Sequence, residues 1–128
     1  MKAGDYGCQT PTVTAFVSTN SICQGQQVSI LWPAVFATGA EIVFAHTSFK
    51  WTNLATHNAG VTVVIVGLSA QAARARRVFQ IADDGEAVVR DVTNINAYLV
   101  PAPNVEVRPV AAPTEALPTM QFGNHPYY

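Results

Sequence analysis

The segment His46-Thr47-Ser48-Phe49-Lys50-Trp51-Thr52-Asn53 places two aromatic rings on either side of Lys50, the only Lys or Arg between Tyr6 and Ala73. An aromatic face stacks on a nucleobase and an ammonium group meets a phosphate, so this spacing could hold one nucleotide. A second polar stretch, Ser18-Thr19-Asn20-Ser21, closes an earlier apolar run. In open α/β sheets ligands bind outside the carboxyl ends of the strands, so both segments are expected to face one cleft. The candidate contacts are Phe49, Lys50 and Trp51 on one side and Ser18, Thr19 and Asn20 on the other. A plainer reading stays open beside this one. Phe49 and Trp51 can plug the end of a core while Lys50 reaches solvent, and the small polar residues can cap a following helix.

Other chemistry finds little support. The sequence contains no GxSxG nucleophile elbow, no GxxxxGKS/T phosphate loop and no GxGxxG turn. Cys8 and Cys23 form no CxxC, and His46 and His57 stand at no ligand spacing, so reduced thiols and ordinary histidines are expected rather than a metal site. The net charge of -1 is a poor footprint for a free-standing nucleic-acid binder, which normally clusters Lys and Arg against phosphates.

The elements that must position these residues read as α/β. Val13 to Ser18 predicts a short strand. Val28, Leu31, Trp32, Val35 and Phe36 form one apolar helical stripe that ends at a left-handed cap on Gly39. Pro33 predicts a kink, or a helix that restarts near Trp32. Glu41 to Ala45 and Val61 to Leu68 read as further strands, the last apolar on both faces apart from Thr62. Strand, helix, strand gives a parallel crossover. The second and third strands, joined by a loop over Ala45 to Gly60, are then antiparallel neighbours.

From Ala70 the character changes. Arg74, Arg76 and Arg77 read as a solvated turn, followed by a short strand-like VFQIA and the acidic turn Asp83-Asp84-Gly85-Glu86, together a surface hairpin. Six of the 8 prolines lie beyond residue 100, so Pro101 to Pro118 is expected to be an extended connector. The 128 residues suffice for one core, and charged residues are only 12 % of them. The longest apolar run, Ala59 to Ala70, falls short of the roughly 18 residues that cross a bilayer, and no signal segment opens the chain. A cytoplasmic protein is expected.

Taken in order, the blocks TAFVSTNSICQGQQVSILWP, EIVFAHTSFKWTN, VTVVIVGL, NINAYLVPAPNV and MQFGNHP resemble the C-terminal part of the methyltransferase domain of MmeI-like restriction-modification enzymes. The resemblance covers nearly the whole chain from about Thr14. It implies a partial Rossmann-like sheet, with AFVSTNS as the fifth strand, EIVFA as the sixth and VTVVIVGL as the antiparallel seventh. Residues 1–100 would complete the methyltransferase core, and 101–128 would lead into a target recognition region. It further implies transfer of a methyl group from S-adenosylmethionine to adenine N6 in double-stranded DNA. Phe49, in SFKW, matches the aromatic that stacks on the extruded adenine, with Lys50 and Trp51 in support.

The donor-binding glycine motif and the NPPF/Y motif of that family do not occur in this sequence. The chain alone is therefore expected neither to bind S-adenosylmethionine nor to turn over, and its partner would be the missing N-terminal methyltransferase segment. Two other readings compete: a non-catalytic α/β interaction module or subunit of a split enzyme, and a remnant that folds poorly after losing four strands.

Overall fold

The computed structural model describes residues 2–52, 60–71 and 75–111. Arg74, His57 and the segment from Met120 lie outside them. The chain opens with a helix, α1 (Lys2–Gln9). Strand β1 (Thr14–Thr19), a 3-10 turn (Asn20–Cys23) and helix α2 (Gly25–Phe36) follow. Strands β2 (Glu41–Trp51), β3 (Val61–Ser69), β4 (Arg76–Ile81) and β5 (Ala87–Val92) complete the regular elements.

These strands form one five-stranded sheet in the order β1-β3-β2-β4-β5. The centre of the fold is β3, whose β-branched run Val61 to Val66 has stiff side chains suited to a pleated surface. It pairs antiparallel with β1 on one side and β2 on the other. Two strands antiparallel to the same neighbour are parallel to each other, so β1, α2 and β2 form the expected parallel crossover with β3 inserted between the strands.

The proposed hairpin is real but is not a surface appendage. β4 pairs in parallel with β2 at Phe44 to His46, and β5 returns antiparallel beside it, through a turn in which Gly85 has φ 85°. The sheet is therefore larger than the three strands the sequence suggested. The pairing buries Val78, an apolar residue that would otherwise remain in water.

Helix α2 runs through Pro33 without restarting. Proline removes one backbone donor, but the apolar stripe around it is committed to the core. Val28 and Trp32 are fully or almost fully buried against Ile42, Ala45, Val64, Val66 and Val78. Trp32 also donates its indole N–H to the Ile22 carbonyl at 2.6 Å, so a large apolar ring is buried with its polar atom satisfied. The helix ends as expected, with Gly39 at φ 83° and its N–H bonded to the Phe36 carbonyl.

Beyond β5 the chain covers the rest of the same sheet face. Ile95, Ala97 and Leu99 enter the core, and the Asn96 side chain ties the turn by accepting from the backbone N–H groups of Tyr98 and Val100. These bonds hold Leu99 at φ 58°, a conformation that costs a branched residue on the order of 1 to 3 kcal/mol. The described part of the Pro-rich stretch has no regular structure. It is nonetheless tied back, through Asn94 to the Ala102 carbonyl and through Val107 N–H to the Tyr98 hydroxyl.

Arg76 corrects the reading of the arginines as a solvated turn. Its guanidinium is buried, pairs with Glu41 and donates to Asn94 Oδ1 at 2.6 Å. A buried guanidinium needs such partners, and these link β4, β2 and the segment after β5. Arg77 does face solvent, bonded to Asp91 at 3.2 Å. Among the described residues no helix is long and apolar enough to cross a membrane.

Candidate functional site

Phe49, Lys50 and Trp51 lie in β2, not in the loop that the sequence suggested. They pair with Val63, Thr62 and Val61 respectively. Aromatic residues favour a pleated surface, and the valine-rich β3 offers both backbone partners and apolar neighbours, which extends β2 to Trp51.

The pairing brings the two predicted segments together. Val63 stands opposite Thr19 of β1 and opposite Phe49 of β2. Residues directly opposite share a sheet face, so Thr19, Val63 and Phe49 form one row, with Thr19 and Phe49 two strand spacings apart, roughly 10 Å. Ser18 falls in the next row, opposite Val64, and points to the other face, as Lys50 does opposite Thr62. Asn20 begins the 3-10 turn beyond β1. Of the six candidates, Thr19, Phe49 and Trp51 therefore share a face. Ser18 and Lys50 present their side chains on the reverse.

The capping explanation for the polar stretch is not realised. Neither the 3-10 turn nor α2 receives a side-chain cap hydrogen bond, and the Thr19 hydroxyl instead meets the Ser21 hydroxyl at 2.7 Å. The core-plug explanation fails for Trp51, which is 46 % exposed, whereas Phe49 is half-buried and Lys50 is exposed.

Phe49 reaches its face through an irregularity. Between His46 and Phe49 the register slips: three steps along β2 match two along β3, from Ile65 to Val63. One extra residue is thereby accommodated at Thr47 and Ser48, a β-bulge. In a regular strand residues three apart point to opposite faces; here His46 and Phe49 share one, with ring centroids 4.5 Å apart and planes at 62°. The bulge is held on both sides. Thr47 donates its hydroxyl to the Phe79 carbonyl of β4 at 3.3 Å, and its own carbonyl lies 2.8 Å from His46 Nδ1.

The rest of this face is also aromatic. Phe44 lies across Gly67, where a Cβ would come within 2.1 Å of its ring, and Phe79 of β4 pairs beside His46. A second register slip, between Ile42 and Phe44, sets Phe44 there. Phe44, Phe79 and Val43 border an open hollow, polar only at Ser69, Gln71 and Arg77.

Residue type singled out Phe49 but not its ring contact with His46. Its signal was present in the spacing His46-x-x-Phe49, which brings two rings together only if the strand is bulged.

Across the sheet, a cleft of about 330 Å³ opens between β1 and α2, lined by Phe16, Val17, Ile22, Leu31, Trp32 and Val35 among others. Cys23 is a buried free thiol nearby, and removal from water raises its pKa from 9.0 to about 11. Among the described residues no group of His, Cys, Asp and Glu could hold a metal ion.

The comparisons with known proteins agree with one another. DNA methyltransferase A of Bacillus subtilis (strain 168) is 42 % identical over 121 residues, covering 94 % of this chain and 13 % of that protein. The solved structure of the type IIL restriction-modification enzyme MmeI in complex with DNA superimposes with a TM-score of 0.89 at 38 % identity, over 98 % of this chain and 17 % of that one. The chain thus spans a small part of the length of the relatives it matches. Residues 1–80 match the model of the MmeI DNA-methyltransferase domain, and the chain belongs to that family.

Proposed function

We propose that this chain supplies the target-base surface of a site-specific DNA methyltransferase that transfers a methyl group from S-adenosylmethionine to adenine N6. The observation that carries this reading is the row Thr19, Val63, Phe49, which presents a half-buried ring on an aromatic face at the carboxyl end of β2. Extruding a base from the duplex costs a few kcal/mol, and stacking on an aromatic returns roughly 1 to 3. Phe49 holds the extruded adenine by its face. Trp51 extends the apolar surface, and Thr19 borders it. On the reverse face, Lys50 and Ser18 lie beside the same edge, where an ammonium group and a hydroxyl suit the phosphate backbone.

The residues present do not fit the methyl donor. Apart from Ser18 and Thr38 the cleft beside α2 is lined by apolar groups and offers no carboxylate to the donor's positive centres. S-adenosylmethionine binding is therefore assigned to the N-terminal methyltransferase segment. The outer edge of β1 supports such a partner. Among the described residues β1 pairs only with β3, and Val13, Phe16 and Val17 are exposed along it. An apolar strand edge invites further strands. The same edge suits the subunit of a split enzyme, which differs only in whether the covering segment is covalently attached.

A graft tests the function. This chain replaces the matching 121 residues of the Bacillus subtilis relative, and methyl transfer to DNA is followed with identification of the methylated nucleoside. N6-methyladenine is expected. Phe49→Ala is expected to lower the rate about 5- to 150-fold, the equivalent of one lost base stack. An inactive graft beside an active parent, or methylation of cytosine, contradicts the assignment.

A further inference from the structure

We infer that His46, acting through the bulge at Thr47 and Ser48, is the positioning residue that aims the Phe49 ring at the target base. The inference rests on the base-stacking role proposed for Phe49 and concerns what sets the direction of that ring. Two independent observations carry it. The first is register: if the same residues ran as a regular strand with no bulge, every side chain beyond Ser48, Phe49 and Trp51 included, would turn to the opposite face. The aromatic face at the carboxyl end of β2 thus exists because of the bulge.

The second is contact. The His46 ring meets the Phe49 ring edge-on, with centroids 4.5 Å apart, the arrangement in which the positive edge of one ring meets the negative face of another. The orientation of His46 is itself fixed. The Thr47 carbonyl can only accept, so Nδ1, 2.8 Å away, carries the proton and donates to it. That bond sets the plane of the imidazole and braces the bulge. The Thr47 hydroxyl holds the other side, donating to the Phe79 carbonyl of the neighbouring strand. A ring that stacks on a base gains from arriving already oriented, because no rotamer freedom is then lost on binding. Phe49 is half-buried, so part of its surface remains open to a ligand.

The test uses the graft in the Bacillus subtilis relative, with 2-aminopurine in place of the target adenine to report the base leaving the stack. His46→Ala is expected to reduce the extruded population roughly 2- to 12-fold, the value of one aromatic pair. On adenine-containing DNA it should lower kcat while leaving KM for DNA nearly unchanged. His46→Phe restores a ring against Phe49 and is expected to recover most of the signal. His46→Asn separates the two contributions, since it can keep a donor toward Thr47 while losing the ring; it should resemble His46→Ala.

Two failures are distinguishable. Full extrusion by Phe49→Ala would overturn the base-stacking reading itself. Loss of extrusion in Phe49→Ala with wild-type extrusion in His46→Ala would overturn the positioning role alone. If His46→Phe is as impaired as His46→Ala at an equal unfolding midpoint, the ring contact is likewise refuted.

Discussion

The two faces of the central strands carry different kinds of residue and do different work. On the α2 side Ile42, Ala45, Val64 and Val66 disappear beneath Val28, Trp32, Ile95 and Leu99. On the other side Phe44, His46, Phe49 and Phe79 stay half-exposed, and Trp51 more so. The first face is aliphatic and close-packed, the arrangement that supplies stability. The second is aromatic and open, with two register slips that re-aim side chains. The difference shows how one pair of strands can secure a fold and present a surface at once: regular alternation serves the core, and departures from it turn aromatic side chains to the open face.

The comparison can be broken most easily with its two tryptophans. Trp32→Ala empties a filled core position and removes a satisfied indole, and it should cost about 3 to 5 kcal/mol. Trp51→Ala, at the open edge, should cost less than about 1 kcal/mol. Urea denaturation of the chain reads both, and equal losses would remove the distinction between the faces.

A middle-sized effect is expected at Gly67. It sits on the aromatic face, yet a methyl group there collides with the ring of Phe44. Gly67→Ala should cost about 1 to 3 kcal/mol by displacing that ring. An unchanged midpoint would mean that Phe44 is free to leave, and that this part of the face is looser than described.

The smallest effect at ordinary pH belongs to Cys23, on the covered face. Burial raises its thiol pKa from 9.0 to about 11, so the folded chain holds the proton more tightly than the unfolded one. The stabilisation from this difference is complete below pH 9 and is lost as pH rises from 9 to 11. Cys23→Ala should flatten that part of the stability profile. A wild-type profile already flat there would place Cys23 in contact with water.

How much of this was readable in the residues depended on the physical signal involved. The apolar stripe of α2 and the β-branched run of β3 are periodic over many residues, so the covered face was legible, including the Gly39 cap and the parallel crossover. The resemblance to MmeI-like enzymes also held. What periodicity could not show was the bulge, since one extra residue changes a face without changing composition. That is why residue type does not single out His46 and the segment Phe49 to Trp51 reads as a loop. Arg76 was misread for a related reason. Arginine beside arginine suggests solvent, and only the approach of Glu41 and Asn94 from distant parts of the chain reveals a buried ion pair. The place of β4 beside β2 was likewise non-local, set by Phe44 to His46 rather than by anything within 76–81.

The aromatic face beyond the bulge is proposed to receive the target base. The most direct test is photochemical. The graft is bound to duplex DNA carrying 5-iodouracil at the target position, irradiated, digested, and the cross-linked residue identified by mass spectrometry. A cross-link to Phe49, weakened in His46→Ala, is expected. A cross-link confined to residues outside the row of Thr19, Val63 and Phe49, and unaffected by His46→Ala, would contradict this reading.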